Sequence, residues 1–241
     1  MKTKRKKRWI DFKLWLLPML LCLAGLSVIL YPSVSESWNK WHQSRAIAGY
    51  ADAVSQGKKE DLENMWKQAR IYNMELKQKK NRYYLSEEEQ LRYRQLLNLT
   101  GNGIMGYIEI PSIRCSLPVY HGTEESVLQV AAGHIEGSSL PVGGPGTHCV
   151  ISGHRGLPSA RLFTGLDQLK TGDFFNLKVL NKTLQYQIDE INVVLPDEIE
   201  KLEIDPEKDF CTLVTCTPYG VNSHRLLVRG SRVEKMSEVN H

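Results

Sequence analysis

Cysteine is scarce in this chain, five in 241 residues. The five show none of the regular spacing that staples small secreted domains or holds zinc. Cys115, Cys149, Cys211 and Cys216 could make two bridges by number, but three of them fall inside or at the end of apolar, strand-like runs. Free thiols are therefore expected, which leaves one available as a nucleophile. His148, Cys149 and His154 are ligand-type residues without a fourth partner or paired spacing, so no metal and no cofactor is called for. The chain also lacks internal repeats and low-complexity segments, which excludes solenoids and long disordered tracts. Nor does it carry an extended basic surface. The formal charge is +4, yet Lys2, Lys4, Arg5, Lys6, Lys7 and Arg8 supply six positives by themselves. Without them the body is near neutral, and a nucleic-acid partner has no electrostatic support.

What is present begins directly after those charges. Leu14 to Tyr31, "LWLLPMLLCLAGLSVILY", has no charged residue and is just long enough to cross a bilayer. Positive charge stays on the cytoplasmic side, so residues 1–13 are expected inside, 14–31 across, and everything later outside. A cleavable signal peptide, cut near Ser33-Val34-Ser35, competes with this reading, but the apolar run exceeds a usual signal core. Cys22, preceded by a bulky leucine, is expected to be a lipid-facing or core side chain rather than a lipidation site.

Residues 32–103 read as a helical stalk or collar. Leu62, Met65, Trp66 and Ala69 share one helical face, and Ser86 followed by Glu87, Glu88 and Glu89 is an N-cap with an acidic first turn. That helix should run to about Leu97. "NLTGNG", Asn98 to Gly103, is turn chemistry and marks a boundary. Beyond it the period changes. Ile104–Ile110, Ile113–Tyr120, Thr147–Ser152, Asp173–Leu180, Thr183–Val194, Phe210–Cys216 and Arg225–Val233 are rich in β-branched or aromatic residues and bounded by turn formers. Seven or eight short strands over 104–233 mean a mainly β domain, a sandwich or small barrel. Residues 234–241 remain as a charged tail.

Three residues in this domain could carry chemistry. Cys216 ends a strand at Thr217-Pro218-Tyr219-Gly220, where proline cannot continue the ladder, so the thiol should lie at the strand's exposed end. A buried small hydrophobe is the bland alternative; a reactive thiol needs solvent access and a nearby cation or imidazolium. If Thr217 to Ser223 connects a hairpin, Arg225 returns beside Cys216, with both side chains on one face when the residues are paired. Its fixed donors suit a developing oxyanion, although a solvated strand arginine is the ordinary alternative. In "SGHRG", Ser152 to Gly156, His154 is flanked by glycines after an apolar strand, where it could exchange protons. A lone loop histidine is more often structural, and His121, His134, His148 and His224 rank no higher.

Together "TLVTC" at Thr212 to Cys216, an arginine nine residues on, and the upstream "GHRG" resemble the sortases, membrane-anchored cysteine transpeptidases. The run "TCTPYGVNSHRLLVRG" is similar to class C sortases, the pilin polymerases, over about Ile104 to Val233. The resemblance implies a closed eight-stranded β-barrel preceded by N-terminal helices and a membrane segment. It implies Cys216 as nucleophile, His154 as general acid/base and Arg225 as oxyanion and substrate-positioning residue, with Leu213 and Thr215 helping to shape the cleft. Such enzymes cleave an LPxTG-like sorting signal between Thr and Gly through a thioester. In class C an acceptor lysine of the next pilin subunit resolves it, at a Gram-positive-type cell surface. Attachment of proteins to cell-wall peptidoglycan is the alternative transfer, and an inert membrane-anchored assembly module the non-enzymatic one. Class C members usually carry an Asp-Pro-aromatic lid before the barrel and often a second, C-terminal membrane segment. Here no Asp-Pro precedes Asp205-Pro206, and charged residues follow Val233. Any cover over the cleft is therefore expected from other contacts of the helical collar.

Overall fold

The computed structural model describes residues 2–157 and 159–233, with side chains from Trp15 onward; the tail expected at 234–241 lies outside the described residues. Helix α1 (Lys2–Gln56) runs unbroken from the apolar span into the collar, with Pro18 and Pro32 inside it. Its outer half has a barrel-facing stripe at helical spacing. Glu36, Asn39, Gln43, Ile47 and Val54 are partly buried and Tyr50 fully so, polar first and apolar later. Gly57 ends α1, and α2 (Lys59–Gln78) buries Leu62, Trp66, Ala69, Tyr72, Asn73 and Leu76. The Asn73 amide is clamped to both backbone groups of Leu140, at 2.7 and 3.0 Å. Helix α3 (Glu87–Gln95) begins at the expected N-cap, Ser86, which closes a capping box with Glu89. It stops before Leu97, which takes a positive φ of 59°.

The strands are β1 (Ile104–Ile110), β2 (Cys115–His121), β3 (Ala132–His134), β4 (Thr147–Ser152), β5 (Phe174–Val179), β6 (Lys182–Val194), β7 (Asp209–Thr217) and β8 (His224–Val233), and a short helix α4 (Glu125–Leu128) precedes β3. They close a barrel in the order β1-β2-β3-β4-β7-β8-β6-β5. The β2–β3 and β4–β7 pairs are parallel and the others antiparallel. Two details depart from the sequence expectation. The second strand starts at Cys115 instead of Ile113, because Pro111–Ile113 forms a 3₁₀ turn and Arg114 is left-handed. The three-residue β3 has no apolar run of its own and is held by its neighbours.

Alternation divides β4, β7 and β8 into two faces. Cys149, Ile151, Cys211, Leu213, Leu226 and Val228 join the barrel core. Val150, Val214 and Leu227 form a second, outer cluster with Ile135, Val194 and Leu202, covered by the β6–β7 connection. On that outer face His148 is buried, its ring bonded to the Glu203 carbonyl oxygen at 2.9 Å and to Thr212 Oγ1 at 2.7 Å.

Two tests follow from this packing. The Tyr50 hydroxyl, fully buried, donates to Met105 O (2.9 Å) and accepts from Leu180 N (2.7 Å), which ties α1 to the barrel. Tyr50→Phe should cost about 1–3 kcal/mol in thermal or denaturant unfolding, the penalty of stranding those backbone groups. An unchanged midpoint would show that the tie carries nothing. Burial pushes the His148 imidazole from 6.5 down to about 4, so the fold holds it neutral. Its contribution is complete above pH 6.5 and declines as pH falls to about 4, because there only the unfolded chain takes the proton. The effect is on the order of 3 kcal/mol. Melting curves of His148→Gln should show a flatter acid limb than the parent; parallel curves would refute it.

Candidate active site

Strand register assembles the site. In the antiparallel β7–β8 pair, Cys216 lies directly opposite Arg225, so their side chains share a face. In the parallel β4–β7 pair, Ser152 lies beside Val214. The pairing continues past the end of β4, since Gly153 N donates to Val214 O at 3.0 Å. Continued past Ser152 and Val214, the same register leads the chain at His154 toward the end of β7. Cys216 and Arg225 thus form a pair at the end of the outer face that holds Val150, Val214 and Leu227, and His154 lies in the loop that leaves β4 beside β7.

Local contacts set each member. Thr215 Oγ1, buried in the barrel, donates to Gly153 O at 2.8 Å and fixes the backbone just before His154. The loop after His154 returns to it, with Phe163 N donating to His154 O at 3.1 Å. Arg155 clamps the same loop to the end of β7, through Thr217 Oγ1 (2.5 Å) and an ion pair with Asp167 (2.6 Å). The Nε2 atom of His154 is buried and has no hydrogen-bond partner among the described residues; the nearest carboxylate, Glu125 of α4, stands 3.6 Å away. An imidazole nitrogen left unpaired in this way keeps a free hydrogen-bonding position.

Cys216 is half-buried and makes no side-chain hydrogen bond among the described residues, whereas Cys149 and Cys211 are enclosed in the core. Burial pushes the Cys115 thiol up to about 12 and holds Cys211 protonated as well. Among the barrel thiols Cys216 is the one that is neither enclosed in the core nor bonded to a carbonyl among the described residues. Arg225 rests one guanidinium nitrogen on the carbonyls of Asn222 and His224, both at 3.1 Å. It makes no ion pair among the described residues, so its charge is not cancelled by a carboxylate.

Of the three residues that the sequence singled out for chemistry, register pairs Cys216 with Arg225, and the loop after β4 carries His154. Leu213 and Thr215 are placed differently: Leu213 points into the core and Thr215 into the Gly153 clip. His148 and Cys149 occupy opposite faces of β4 and do not converge. Sequence reasoning missed Glu125 and Arg155. Nothing local marks Glu125, 29 positions before His154, but the arginine within "GHRG" was a visible signal. The segment between α2 and α3 lies elsewhere: Arg82 bonds Leu202 O at 2.9 Å and pairs with Glu203 at 3.4 Å, over the β6–β7 connection.

Comparison with known proteins agrees with this geometry. The sortase domain family matches residues 108–233. A Streptococcus agalactiae protein named Sortase A is 27% identical over 225 residues, 90% of this chain and 84% of that protein. Among solved structures, sortase C1 from Streptococcus agalactiae superposes with a TM-score of 0.76 at 50% identity, covering 79% of this chain and 98% of that one. Streptococcus pneumoniae Sortase C, whose structure is described as informing catalysis and pilin substrate specificity, gives 0.72 at 45%, covering 79% and 97%. A closed eight-stranded barrel, a cysteine paired with an arginine on neighbouring strands, and a family match over more than half the chain lead to one assignment: the chain belongs to the sortases, the cysteine transpeptidases.

Proposed function

We propose that this sortase is a pilin polymerase, anchored in the cell membrane by α1 with its barrel outside, and that Cys216, His154 and Arg225 perform its chemistry. The observation that carries the reading is the pairing of Arg225 opposite Cys216, with His154 two residues past the end of β4, the strand that pairs with β7 on its other side. The Cys216 thiolate attacks the Thr carbonyl carbon of an LPxTG-like signal, and Arg225 stabilises the tetrahedral oxyanion. As the C–N bond to glycine breaks, His154 gives its proton to the leaving amine, and the acyl group remains as a thioester. A lysine amine then attacks the thioester, its proton passes to His154, and the thiolate departs. The product is an isopeptide bond. Leu213 and Thr215 shape the cleft from behind, Leu213 by filling the core under β7 and Thr215 by holding Gly153.

Likeness to Streptococcus pneumoniae Sortase C, whose structure is described as informing pilin substrate specificity, supports the pilin assignment. The membrane assignment rests on the apolar length of α1, which is exposed throughout its candidate span, and on exposed Trp38 and Trp41 beyond Tyr31, residues suited to a membrane interface.

The test uses the full chain in detergent with an LPxTG peptide, read by intact mass. A peptide adduct on the parent that is absent from Cys216→Ala is expected, and a pilin lysine should discharge it; discharge by a peptidoglycan amine instead would assign the other transfer. Arg225→Ala should slow acylation by about 10²–10³-fold. Brief alkylation of the parent should label Cys216 ahead of Cys115, Cys149 and Cys211. Labelling without that preference would argue for an inert barrel.

A further inference from the structure

The membrane-emerging part of α1 grips both flanks of His154. On one flank, Glu36 Oε2 accepts from Arg161 N at 2.7 Å and Asn39 Nδ2 donates to Ser159 O at 2.7 Å. Both contacts fall in the loop that leaves His154 and returns to its carbonyl through Phe163. On the other flank, Gln43 Nε2 donates to Val130 O at 2.8 Å, two residues past α4, the helix that carries Glu125 to within 3.6 Å of the His154 ring. Residues 36, 39 and 43 follow helical spacing on one face, and the same face continues to Tyr50, which is locked to β1 and to Leu180. A polar run on a barrel-facing stripe is not explained by packing, since this part of the stripe is only half-buried. All three side chains instead reach main-chain atoms, the contacts able to hold a loop's path without regard to its own side chains.

We propose that Glu36, Asn39 and Gln43 are positioning residues for the His154 loop, so that the anchor helix itself completes the geometry of the proposed site. The proposal rests on the assignment of His154 as acid/base and deepens it. A rigid helix suits this role, because Asn39 lies eight residues beyond Tyr31 and the loop is therefore held about 12 Å along the helix from the end of the apolar run. The His154 loop and the membrane segment are then one mechanical unit. The three residues touch no reacting atom. Their effect is on turnover, through the placement of the imidazole, and not on the fold or on capture of the peptide.

The experiment compares full-length parent, Asn39→Ala/Gln43→Ala, Glu36→Ala and Glu36→Gln in the same detergent, measuring peptide acylation of Cys216 and the thermal midpoint. The double variant and Glu36→Ala are expected to lower kcat about tenfold, the range by which a small misplacement of a catalytic group slows a reaction, with KM and midpoint little changed. Glu36→Gln keeps an oxygen acceptor for Arg161 N and should retain most of the parent rate. An unchanged kcat in the alanine variants would overturn the proposal. So would equal losses in Glu36→Ala and Glu36→Gln, or a loss that tracks a falling midpoint, since either would reduce the contacts to charge or stability. A parent that acylates normally separates those results from failure of the transpeptidase reading; a parent that forms no adduct brings down both.

Discussion

Everything in this molecule that bears on catalysis depends on the two pairings made by β7. Its parallel register with β4 and antiparallel register with β8 are set by main-chain hydrogen bonds over six and eight residue pairs. A slip of one residue in either would send every side chain to the opposite face. The slip is prevented by burial on both sides at once. Cys149, Ile151, Cys211, Leu213, Leu226 and Val228 must enter the core, while Val150, Val214 and Leu227 must meet Leu202 and Val194 under the β6–β7 connection. A strand with one solvated face would fix its register with half as many contacts. Here the doubly covered part of the sheet holds the uncovered end, where Cys216 and Arg225 emerge.

The site therefore combines a rigid base with an open end. Cys216 and Arg225 take their positions from strands, whereas His154 lies one residue beyond the last ladder contact of its own strand. That residue needs support from outside the sheet, and the structure supplies it from several directions. Thr215 holds the preceding carbonyl, Phe163 the histidine's own carbonyl, and Arg155 ties the loop to Thr217 and Asp167. In its proposed role the imidazole approaches a substrate and cannot be packed as tightly as a core residue. Fixing its main chain on both sides while leaving Nε2 without a partner among the described residues resolves that conflict.

Much of this was legible in the sequence because the relevant signals are local. Proline at 218 ended the strand just past Cys216, the N-cap at Ser86 opened α3, and the glycines around His154 marked an irregular loop. Residue type and period identified the faces of β4, β7 and β8. What sequence reasoning missed joins positions far apart in the chain. Glu125 meets His154 only because α4 leads into β3, and β3 itself is three residues long with no pattern of its own. The second strand began late because Arg114 adopts a left-handed conformation, a choice that no apolar period announces. The contacts of Glu36, Asn39 and Gln43 were equally hidden, since polar residues on a helix after a long apolar span read as a solvated face.

The placement of Leu213 and Thr215 shows how a motif can be informative about chemistry without touching it. In "TLVTC" the residues alternate, so when Cys216 and Val214 face outward, Thr215 and Leu213 face the core. A buried hydroxyl there needs a partner, and its strand neighbour offers the carbonyl of Gly153, where β4 has run out of ladder. The threonine is thus the inward residue best placed to carry the β4–β7 register one step further, toward His154. An aliphatic residue of similar size would satisfy the core and leave that carbonyl unheld. In the proposed site the motif thus governs the spacing of Cys216 and His154 through a hydrogen bond made on the opposite side of the sheet from Cys216.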